Sequence, residues 1–387
     1  MDINSIRQAL EHNKTPFYHY DLTLLNKTLE YIKKESELYS YHVHYALKAN
    51  SDNQVLKMIK EYNLGADCVS GNEISKAVET GFESNKIVFA GVGKTDQEIE
   101  TALEKNIFCF NCESIAEINV IQEIAKKKKK TARIAIRINP NVVANTHHYI
   151  TTGIEENKFG INKNDLDDVI KTIQSSDSII LVGLHFHIGS QISDLAVYKN
   201  LCVRVNEFQN WFEQKNISLS HINVGGGLGI NYSEPLQEPI SDFKNYFKLF
   251  KDHLELRPNQ ELHFELGRSI VGQCGTLVSK VLYLKKGIKT EFAIIDAGMT
   301  ELIRPALYQA THQIINISSE EKNYQNYDVV GPICESSDCF GKQVNLPQTK
   351  RGDYIAILSC GAYGQVMASQ YNLRPLVSVV YSNNTIS

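Results

Sequence analysis

The stretch H-V-H-Y-A-L-K-A-N, which runs from His42 to Asn50, sets the pattern of the first two thirds of the chain. It is a short apolar run that ends in polar residues, and a helix-like segment follows it at Asn53–Tyr62. Regular alternation of such strands with helices predicts parallel strands that are covered by helices. Seven further apolar runs continue the pattern: G-A-D-C-V from Gly65, K-I-V-F-A from Lys86, I-F-C-F-N from Ile107, R-I-A-I-R-I from Arg133, I-I-L-V-G-L-H-F-H from Ile179, H-I-N-V from His221 and E-L-H-F-E from Glu261.

Eight strand–helix units fit a (β/α)8 barrel of the TIM type. A doubly wound open sheet is the structural alternative. That fold usually has a glycine-rich dinucleotide-binding turn after its first strand, and this chain has no such turn there. We therefore predict an α/β protein in which residues 23–268 form the barrel.

The pattern changes after about Ser269, where the helical period fades and strand-like runs dominate. We predict a separate all-β domain made of residues 269–387 together with residues 1–22. The early stretch T-P-F-Y-H-Y-D from Thr15 precedes the barrel and is a candidate strand of the same β domain. The strand-like runs near the C-terminus begin at Thr276, Phe292, Tyr327, Asp353 and Leu376.

The composition is that of an ordinary globular protein. Of 387 residues, 42% are hydrophobic and 22% are charged, with a net charge of −4. Such a charge does not favour nucleic acid or an anionic membrane as a partner. No apolar run approaches the roughly 20 residues needed to span a bilayer, and the polar start lacks the apolar region of a signal peptide. We expect a soluble cytoplasmic protein that binds small molecules.

The cysteine content gives little sign of a disulfide scaffold. Eight cysteines are too few for that role in a chain of this length, and the cytosol would keep them reduced. Cys109 and Cys112 form a C-x-x-C pair, but no second pair stands at zinc spacing. We interpret them as small buried apolar side chains, with a metal or redox role as the alternative.

Polar residues follow several of the predicted barrel strands. Because active sites of such barrels lie at the C-terminal ends of the strands, these residues are predicted to converge on one rim. The candidates are Lys48 after the first strand, Asp67 and Ser70 after the second, His187 after the sixth, G-G-G-L-G (Gly225–Gly229) after the seventh and E-L-G-R (Glu265–Arg268) after the eighth.

The glycines, the lysine and the carboxylate together indicate pyridoxal phosphate. Loops after strands seven and eight are the usual phosphate site of this fold, and glycines let the backbone approach a ligand closely. A bare ammonium at a barrel mouth is costly, so Lys48 is expected to form a Schiff base with the cofactor. Glu265 would then keep the pyridine nitrogen protonated. The alternatives are an ordinary turn for the glycines and a simple ion pair between Lys48 and Glu265.

His185 and His187 stand two residues apart and therefore share a face of the sixth strand. Such an H-x-H pair at a barrel mouth is typical of zinc-dependent hydrolases. Zinc would need further His or Asp ligands, whereas the other strand ends offer Lys, Gly and Glu-Arg. We therefore predict no metal, with His187 stacking on a flat ring and His185 as an interior histidine with satisfied nitrogens.

Taken together, the motifs resemble those of the diaminopimelate decarboxylases, a family of pyridoxal-phosphate decarboxylases with the alanine-racemase-like barrel. The resemblance runs from T-P-F-Y-H-Y-D to Y-N-L-R-P (Tyr371–Pro375). One departure is E-L-G-R, where the family usually has E-P-G-R. The motifs are Y-A-L-K-A-N, G-A-D-C-V-S-G-N-E, the T-H-H-Y-I-T-T-G and N-K-F-G-I stretches between Thr146 and Ile161, H-I-G-S-Q, G-G-G-L-G, L-I-R-P-A-L-Y, C-E-S-S-D and G-A-Y-G.

The resemblance implies decarboxylation of meso-2,6-diaminopimelate to L-lysine and CO2, the last step of lysine biosynthesis, with pyridoxal 5'-phosphate as cofactor. It implies that Lys48 forms the Schiff base and that Cys334 is the general acid that reprotonates the α-carbon. The implied cofactor-binding residues are Lys48, Asp67, His187, Ser190, Gly225, Gly226, Gly227, Glu265, Gly267, Arg268 and Tyr363. The implied substrate-binding residues are Arg268, Arg304, Tyr308, Glu335 and Tyr363. It also implies a homodimer with shared active sites, in which the loop of Cys334 and Glu335 comes from the partner subunit.

Other functions remain open within this resemblance. A sister decarboxylase would act on ornithine, arginine or carboxynorspermidine, but an arginine that holds a distal carboxylate suits diaminopimelate. An amino-acid racemase needs a base on each face of the α-carbon, and Cys334 is a poor match for the usual tyrosine. A carrier of the cofactor without catalysis would have no reason to keep Cys334 and Glu335.

Overall fold

The computed structural model describes residues 3–142 and 158–382. The chain divides into two compact units. The barrel unit consists of Leu29–Gly229 and Asp242–Gly267, and the β unit consists of Met1–Thr28, Ile230–Ser241 and Arg268–Ser387. The domain boundaries expected above, at residues 23 and 268, stay a prediction.

The barrel unit contains a closed barrel of eight parallel strands, as predicted. Each of the eight apolar runs forms one strand: β2 (His42–Ala46), β3 (Gly65–Cys68), β4 (Ile87–Phe89), β5 (Cys109–Cys112), β6 (Ala132–Arg137), β7 (Ile179–His185), β8 (His221–Asn223) and β9 (Glu261–Leu266). The barrel closes where β2 pairs with β9, with His42 opposite His263 in the register. The predicted fold class is therefore confirmed.

Helices follow the barrel strands, and polar caps fix where several of them begin. They are α3 (Asn53–Glu61), α4 (Gly71–Thr80), α5 (Asp96–Glu104), α6 (Ile115–Lys127), α7 (Leu166–Gln174), α8 (Ala196–Gln214) and α9 (Phe243–His253), while α2 (Leu22–Glu37) precedes β2. The Asp52 side chain accepts hydrogen bonds from two N–H groups of α3, and Ser70 caps α4 in the same way. Such caps satisfy backbone donors that a helix leaves unpaired. Ser70 is therefore explained by helix capping.

Histidine rings occupy part of the barrel interior, where facing glycines leave room for them. A Cβ atom on Gly65 of β3 would lie 2.3 Å from Nδ1 of His44. A Cβ atom on Gly183 of β7 would lie 2.7 Å from the ring of His221. Both distances are well below van der Waals contact, so glycine at these two positions allows the rings to pack inside the barrel.

The β unit contains a mixed eight-stranded sheet. Its strands are β1 (Phe17–Tyr20), β10 (Gly275–Lys286), β11 (Glu291–Ile295), β12 (Ile314–Asn316), β13 (Tyr324–Val330), β14 (Cys339–Pro347), β15 (Tyr354–Ile357) and β16 (Ser378–Tyr381). The short helices of this unit are α1 (Ile3–His12), α10 (Arg268–Val271) and α11 (Arg304–Tyr308). β1 pairs with β10 and β16, which confirms that the early stretch from Thr15 belongs to this sheet.

Two strands of the β unit were not predicted, β12 and β14. β12 has only three residues, I-I-N, and β14 reads C-F-G-K-Q-V-N-L-P. Polar residues and a glycine interrupt the apolar alternation of β14, because much of this strand is solvent-exposed. Among the described residues, none of the helices combines the length and the apolar character that crossing a bilayer requires.

Candidate active site

Lys48 and Asp67 form an ion pair at the C-terminal ends of β2 and β3. Lys48 lies in a single 3-10 turn, Leu47–Ala49, that directly follows β2. Its Nζ donates to Oδ2 of Asp67 at 2.6 Å, while Oδ1 of Asp67 is buried with no partner among the described residues. Burial and the nearby Glu265 charge raise the pKa of Asp67, and the Lys48 ammonium opposes that shift. The anticipated alternative, a pair between Lys48 and Glu265, is thus replaced by a pair with Asp67.

Glu265 lies near the end of β9 and is buried among polar side chains of three other strands. Its Oε1 accepts from Nδ2 of Asn111 at 2.9 Å and from Nδ2 of Asn223 at 2.8 Å. Its Oε2 is 2.9 Å from Nε2 of His185. Burial alone would raise the pKa of Glu265, but its interactions with His185 and Lys48 hold it well below the usual range. Since a carboxylate has about four acceptor positions, this ionised group can accept one more hydrogen bond.

The two histidines of the H-x-H pair have different surroundings. His185 contacts Glu265 through Nε2, but its Nδ1 is buried without a partner among the described residues. The expectation that both nitrogens of His185 are satisfied was therefore wrong. His187 accepts a hydrogen bond at Nδ1 from the Gly226 N–H, 3.3 Å away. Burial, with the charges of Arg137 and Lys48, lowers the pKa of His187 well below its usual value, which keeps this flat ring neutral.

The glycine loop after β8 packs tightly between the ends of two strands. Gly225 and Gly227 have φ values of +70° and +101°, a region that side chains disfavour. A Cβ atom on Gly226 would lie 1.9 Å from the carbonyl oxygen of Glu265. The loop therefore requires glycine. Ser190 after β7 is partly exposed, whereas Gly267 and Leu266 at the end of β9 are buried.

In the β unit, Tyr232 contacts two buried arginines. Nη1 of Arg268 donates to the Tyr232 hydroxyl at 2.6 Å. The guanidinium of Arg268 also lies over the ring of Tyr363, 4.8 Å from its centroid, and that of Arg304 lies over Tyr232 at 4.8 Å. Tyr308 ends the short helix α11, which begins at Arg304. The structure thus brings four predicted residues together: Tyr308 and Tyr363 interact with Arg268, and the unpredicted Tyr232 contacts both Arg268 and Arg304.

Arg304 has an unusual environment for a buried cation. Only 5% of its surface is exposed, and no described carboxylate lies within ion-pair distance of it. Instead, its Nη1 donates to Nε2 of His312 at 2.9 Å, and Nδ1 of His312 donates to the Leu358 carbonyl at 2.7 Å. Burial, together with the Arg304 charge, lowers the pKa of His312 to about 3. A buried guanidinium without an acidic partner is suited to bind an anionic ligand.

Cys334 and Glu335 lie on an exposed loop of the β unit. Sγ of Cys334 is 3.9 Å from the Tyr371 hydroxyl and 3.5 Å from Nδ2 of Asn372. The Tyr371 hydroxyl donates to Oε1 of Glu335 at 2.8 Å, and these acidic neighbours raise the pKa of Tyr371 to about 12. The buried Asp338 anchors the loop by accepting from the N–H groups of Met299 and Ile333. The loop therefore presents a thiol, a carboxylate and a phenol together.

Sequence reasoning missed several polar residues around these groups. Asn111 and Asn223 orient Glu265 through hydrogen bonds that only the folded barrel reveals. Arg137 at the end of β6 is buried and donates to Oε1 of Glu113 at 2.7 Å. Tyr232 and His312 lie outside all of the motifs quoted above. Most of the motif between Thr146 and Ile161 falls on residues 143–157, which lie outside the described residues.

The barrel groups fit pyridoxal phosphate. Lys48 supplies an amine whose side chain is 39% exposed, and Glu265 supplies an ionised carboxylate with a remaining acceptor position. His187 supplies a neutral flat ring, and the glycine loop supplies a backbone cradle without side chains. The unpartnered Oδ1 of Asp67 and Nδ1 of His185 are buried polar atoms that a ligand can satisfy. All of these groups lie at the C-terminal ends of parallel strands.

Comparison with known proteins also indicates a protein that binds pyridoxal phosphate. Residues 23–272 match the family model for the pyridoxal binding domain of pyridoxal-dependent decarboxylases. The chain is 58% identical to diaminopimelate decarboxylase of Bacteroides thetaiotaomicron over 364 residues, which is 94% of each chain. It is 38% identical to the diaminopimelate decarboxylase of Aquifex aeolicus over 380 residues, covering 98% of this chain and 89% of the relative.

A solved structure extends the match to three dimensions. The crystal structure of diaminopimelate decarboxylase from Helicobacter pylori complexed with L-lysine has a TM-score of 0.92 and 39% sequence identity to this chain. The match covers 98% of this chain and 94% of that chain. The fold and the relatives agree, and the chain belongs to the diaminopimelate decarboxylase family of pyridoxal-dependent decarboxylases.

Proposed function

We propose that the chain decarboxylates meso-2,6-diaminopimelate to L-lysine and CO2, as the last step of lysine biosynthesis. The observation that carries the choice of substrate is Arg304, a buried guanidinium without a described acidic partner. Diaminopimelate has a second amino-acid end, and its distal carboxylate would pair with this cation. Ornithine and arginine lack that carboxylate. The names of the relatives support the same assignment.

The barrel residues hold and polarise the cofactor. When bound, pyridoxal phosphate withdraws electrons from the substrate α-carbon, so that the bond to the carboxylate can break. Lys48 would hold the cofactor through Nζ, and Asp67 orients that side chain through its carboxylate. Glu265, which Asn111 and His185 hold in place, would accept a hydrogen bond from a protonated ring nitrogen at its remaining lone pair. His187 would pack its neutral ring against the cofactor, and Gly225–Gly227, Ser190 and Gly267 would hold the phosphate.

The β-unit residues bind the substrate and return a proton. Arg304 binds the distal carboxylate, while Glu335 binds the distal ammonium. Arg268, Tyr308 and Tyr363 complete the binding of cofactor and substrate. After CO2 has left, the thiol of Cys334 donates its proton to the α-carbon, which replaces the lost carboxylate with hydrogen. The neighbouring Tyr371 hydroxyl and the Asn372 amide position this thiol.

We further propose a cytoplasmic homodimer in which Cys334 and Glu335 act at the partner's barrel. Apolar side chains next to the Cys334 loop support an interface, because Leu373 is 97% exposed and Leu376 is 60% exposed. Exposed apolar patches are typical of protein contacts, and these two side chains would contribute to such a patch. The cytoplasm is supported by the eight cysteines, all of which are free thiols, since that compartment keeps thiols reduced.

The test is a comparison of CO2 release from meso-diaminopimelate, ornithine and arginine by the purified enzyme loaded with cofactor. We expect release from diaminopimelate at least about 100-fold faster in kcat/KM, a margin that corresponds to about 3 kcal/mol. Faster release from ornithine or arginine would reject the proposed substrate. Racemisation of an amino acid without CO2 release would reject decarboxylation itself.

A further inference from the structure

A second polar cluster lies at the opposite end of the barrel from the candidate active site. We call His42, Glu261 and His263 the base cluster. His42 and Glu261 are the first residues of β2 and β9, and His263 follows two residues later on β9. Nε2 of His42 is 3.8 Å from Oε1 of Glu261, and Nε2 of His263 is 3.3 Å from Oε2 of the same carboxylate. The cluster lies at the seam where the barrel closes.

A chain of hydrogen bonds determines which ring nitrogens of this region carry hydrogen. The carbonyl oxygen of Lys86 can only accept, so Nδ1 of His44 donates to it at 3.0 Å. A neutral His44 then has a lone pair on Nε2, which accepts from Nδ1 of His263 at 2.8 Å. A neutral His263 therefore carries its hydrogen on Nδ1 and directs the lone pair of Nε2 at the Glu261 carboxylate.

This arrangement leaves two acceptors facing each other across 3.3 Å. A cation between the two atoms relieves their repulsion, and a proton or a metal ion can take that position. The His263 side chain is only 4% exposed, whereas the Glu261 side chain is 53% exposed and can be reached from solvent. His42 adds a second imidazole nitrogen to the same carboxylate. We propose that the base cluster is a binding site for a divalent transition-metal ion of the Zn²⁺ class.

The spacing and the chemistry of the three ligands suit such an ion. Tetrahedral zinc with bonds of about 2.0–2.1 Å places its ligand atoms about 3.3–3.4 Å apart. One ligand atom from each of the three residues lies within 4.8 Å of the other two, so small rotations of the exposed His42 and Glu261 side chains can bring the set to that spacing. Two imidazoles with one carboxylate favour zinc, cobalt or nickel over magnesium and calcium, which prefer oxygen ligands. The bonds from His263 through His44 to Lys86 provide the outer support that metal-binding histidines usually have.

His221 is a further buried histidine near the base cluster. It is the first residue of β8, it is 1% exposed, and neither of its ring nitrogens has a partner among the described residues. Its ring centroid lies 4.9 Å from that of His263. Buried polar atoms without partners are uncommon in folded proteins. His221 thus leaves two buried ring nitrogens without described partners close to the His263 ring, and it is not one of the three proposed ligands.

The proposed site is separate from the candidate catalytic groups. Glu261 and Glu265 are on the same strand, and four residues of strand correspond to about 13 Å. An ion held by His42 and Glu261 would link β2 to β9 across the seam of the barrel. We therefore expect the ion to stabilise the closed barrel and not to take part in decarboxylation.

The experiment uses the full chain loaded with pyridoxal phosphate, freed of metal with a chelator and then titrated with ZnCl2 or CoCl2. Zinc binding is measured by calorimetry and by the thermal unfolding midpoint, and cobalt binding by its visible ligand-field absorption. The test variants are His42→Ala and Glu261→Gln, whose side chains are 48% and 53% exposed, so folding should persist. The matched controls are Glu11→Gln and His12→Ala, two exposed residues of α1. Cys334→Ser tests whether the exposed thiol binds the metal instead.

We expect one zinc ion per chain in the wild type, in both controls and in Cys334→Ser, with a higher unfolding midpoint. Either test variant should weaken binding at least about 10-fold and lose the rise in midpoint. The proposal is overturned if the wild type binds no zinc, or if both test variants bind it as tightly as the wild type. Loss of binding in Cys334→Ser alone would also overturn it, by assigning the ion to the thiol.

Discussion

Nζ of Lys48 and Oδ2 of Asp67 lie 2.6 Å apart, joining the ends of two neighbouring barrel strands. The register explains this pairing, because Ala46 of β2 stands opposite Asp67 of β3. A covalent bond from Nζ to the cofactor would turn the ammonium into an imine, which carries a positive charge only when it is protonated; with the unprotonated imine the positive charge is lost from this pair. Asp67 would then be a buried carboxyl beside the negatively charged Glu265. Its burial and the Glu265 charge both raise the pKa of Asp67. The pair therefore links the charge state of Asp67 to cofactor binding.

We predict that the purified enzyme is yellow and that borohydride fixes the cofactor to Lys48. The physical reason is that Lys48 is the partly exposed amine at the rim where Glu265 and the glycine loop converge. Peptide mapping by mass spectrometry identifies the modified lysine. Lys48→Ala should lose the reducible absorbance, and fixation to another lysine in the wild type would contradict the assignment.

Asp67→Asn should shift cofactor attachment to lower pH. The variant leaves the Lys48 ammonium without its ion-pair partner, so the neutral amine that attacks the aldehyde forms more readily. The measurement is the visible absorbance of the apoenzyme mixed with pyridoxal phosphate, followed as a function of pH. Glu73→Gln is a control near the same strand, because Glu73 accepts from the Val69 N–H. An unchanged or higher midpoint in Asp67→Asn would contradict the role given to the ion pair.

The ion-pair partner of Lys48 shows which features of the site can be predicted from the sequence and which cannot. The eight strands and their order were predictable, because each apolar run ends in polar residues and parallel topology places those ends on one rim. The choice between Asp67 and Glu265 was not predictable, since β2 has both β3 and β9 as neighbours. Only the register and the side-chain directions decide which carboxylate the lysine reaches.

Other residues of the site could not be predicted from the sequence for a similar reason. Asn111 and Asn223 interrupt apolar strands, and a sequence pattern does not distinguish an inward polar residue from the end of a strand. Their meaning depends on Glu265, which is far away along the chain. The same holds for His312, whose importance comes from its contact with Arg304 in the folded β unit.

His312 should make stability depend on pH in the acid range. Its pKa falls from an ordinary value of 6.5 to about 3 because burial, together with the Arg304 charge, disfavours the charged ring. The unfolded chain therefore binds a proton below pH 6.5 that the folded chain does not bind until about pH 3. The contribution of His312 to the free energy of unfolding is present above pH 6.5 and is lost as the pH falls.

The expected loss between pH 7 and pH 5 is about 2 kcal/mol of unfolding free energy from this residue. Urea unfolding of the wild type and of His312→Gln at both pH values measures it. The variant should lose about 2 kcal/mol less than the wild type over this interval. His253→Gln, an exposed histidine of α9, is the control and should behave as the wild type does. Equal losses in His312→Gln and the wild type would show that His312 does not remain neutral.

Arg304→Leu should weaken the binding of diaminopimelate far more than the binding of L-lysine, because only diaminopimelate has a distal carboxylate. Charge-assisted hydrogen bonds contribute about 1.5–3 kcal/mol each, which corresponds to about 10- to 100-fold in affinity. KM for diaminopimelate and the inhibition constant of L-lysine measure the two effects. Arg351→Leu, an exposed arginine of the β unit, is the control. Equal weakening of both ligands would assign Arg304 a structural role.

The proposed sharing of active sites predicts complementation between two inactive variants. Lys48 belongs to the barrel unit, whereas Cys334 belongs to an exposed loop of the β unit. If Cys334 acts at the partner's barrel, a mixed dimer of Lys48→Ala and Cys334→Ala has one site that lacks both groups and one intact site. In a two-fold dimer both subunits contribute the same surface to the contact, so pairing should not favour either variant.

Unfolding the two variants together and refolding them gives about half mixed dimers when pairing is random. Each mixed dimer has one active site of two, so activity should return to roughly a quarter of the wild type. Each variant refolded alone is the control for residual activity, and size-exclusion chromatography confirms that dimers have formed. If the mixture of refolded dimers stays inactive, Lys48 and Cys334 act within one chain. The exposed loop would then have to reach the barrel of its own subunit, and the shared site would be rejected while the decarboxylase activity of the wild type remained.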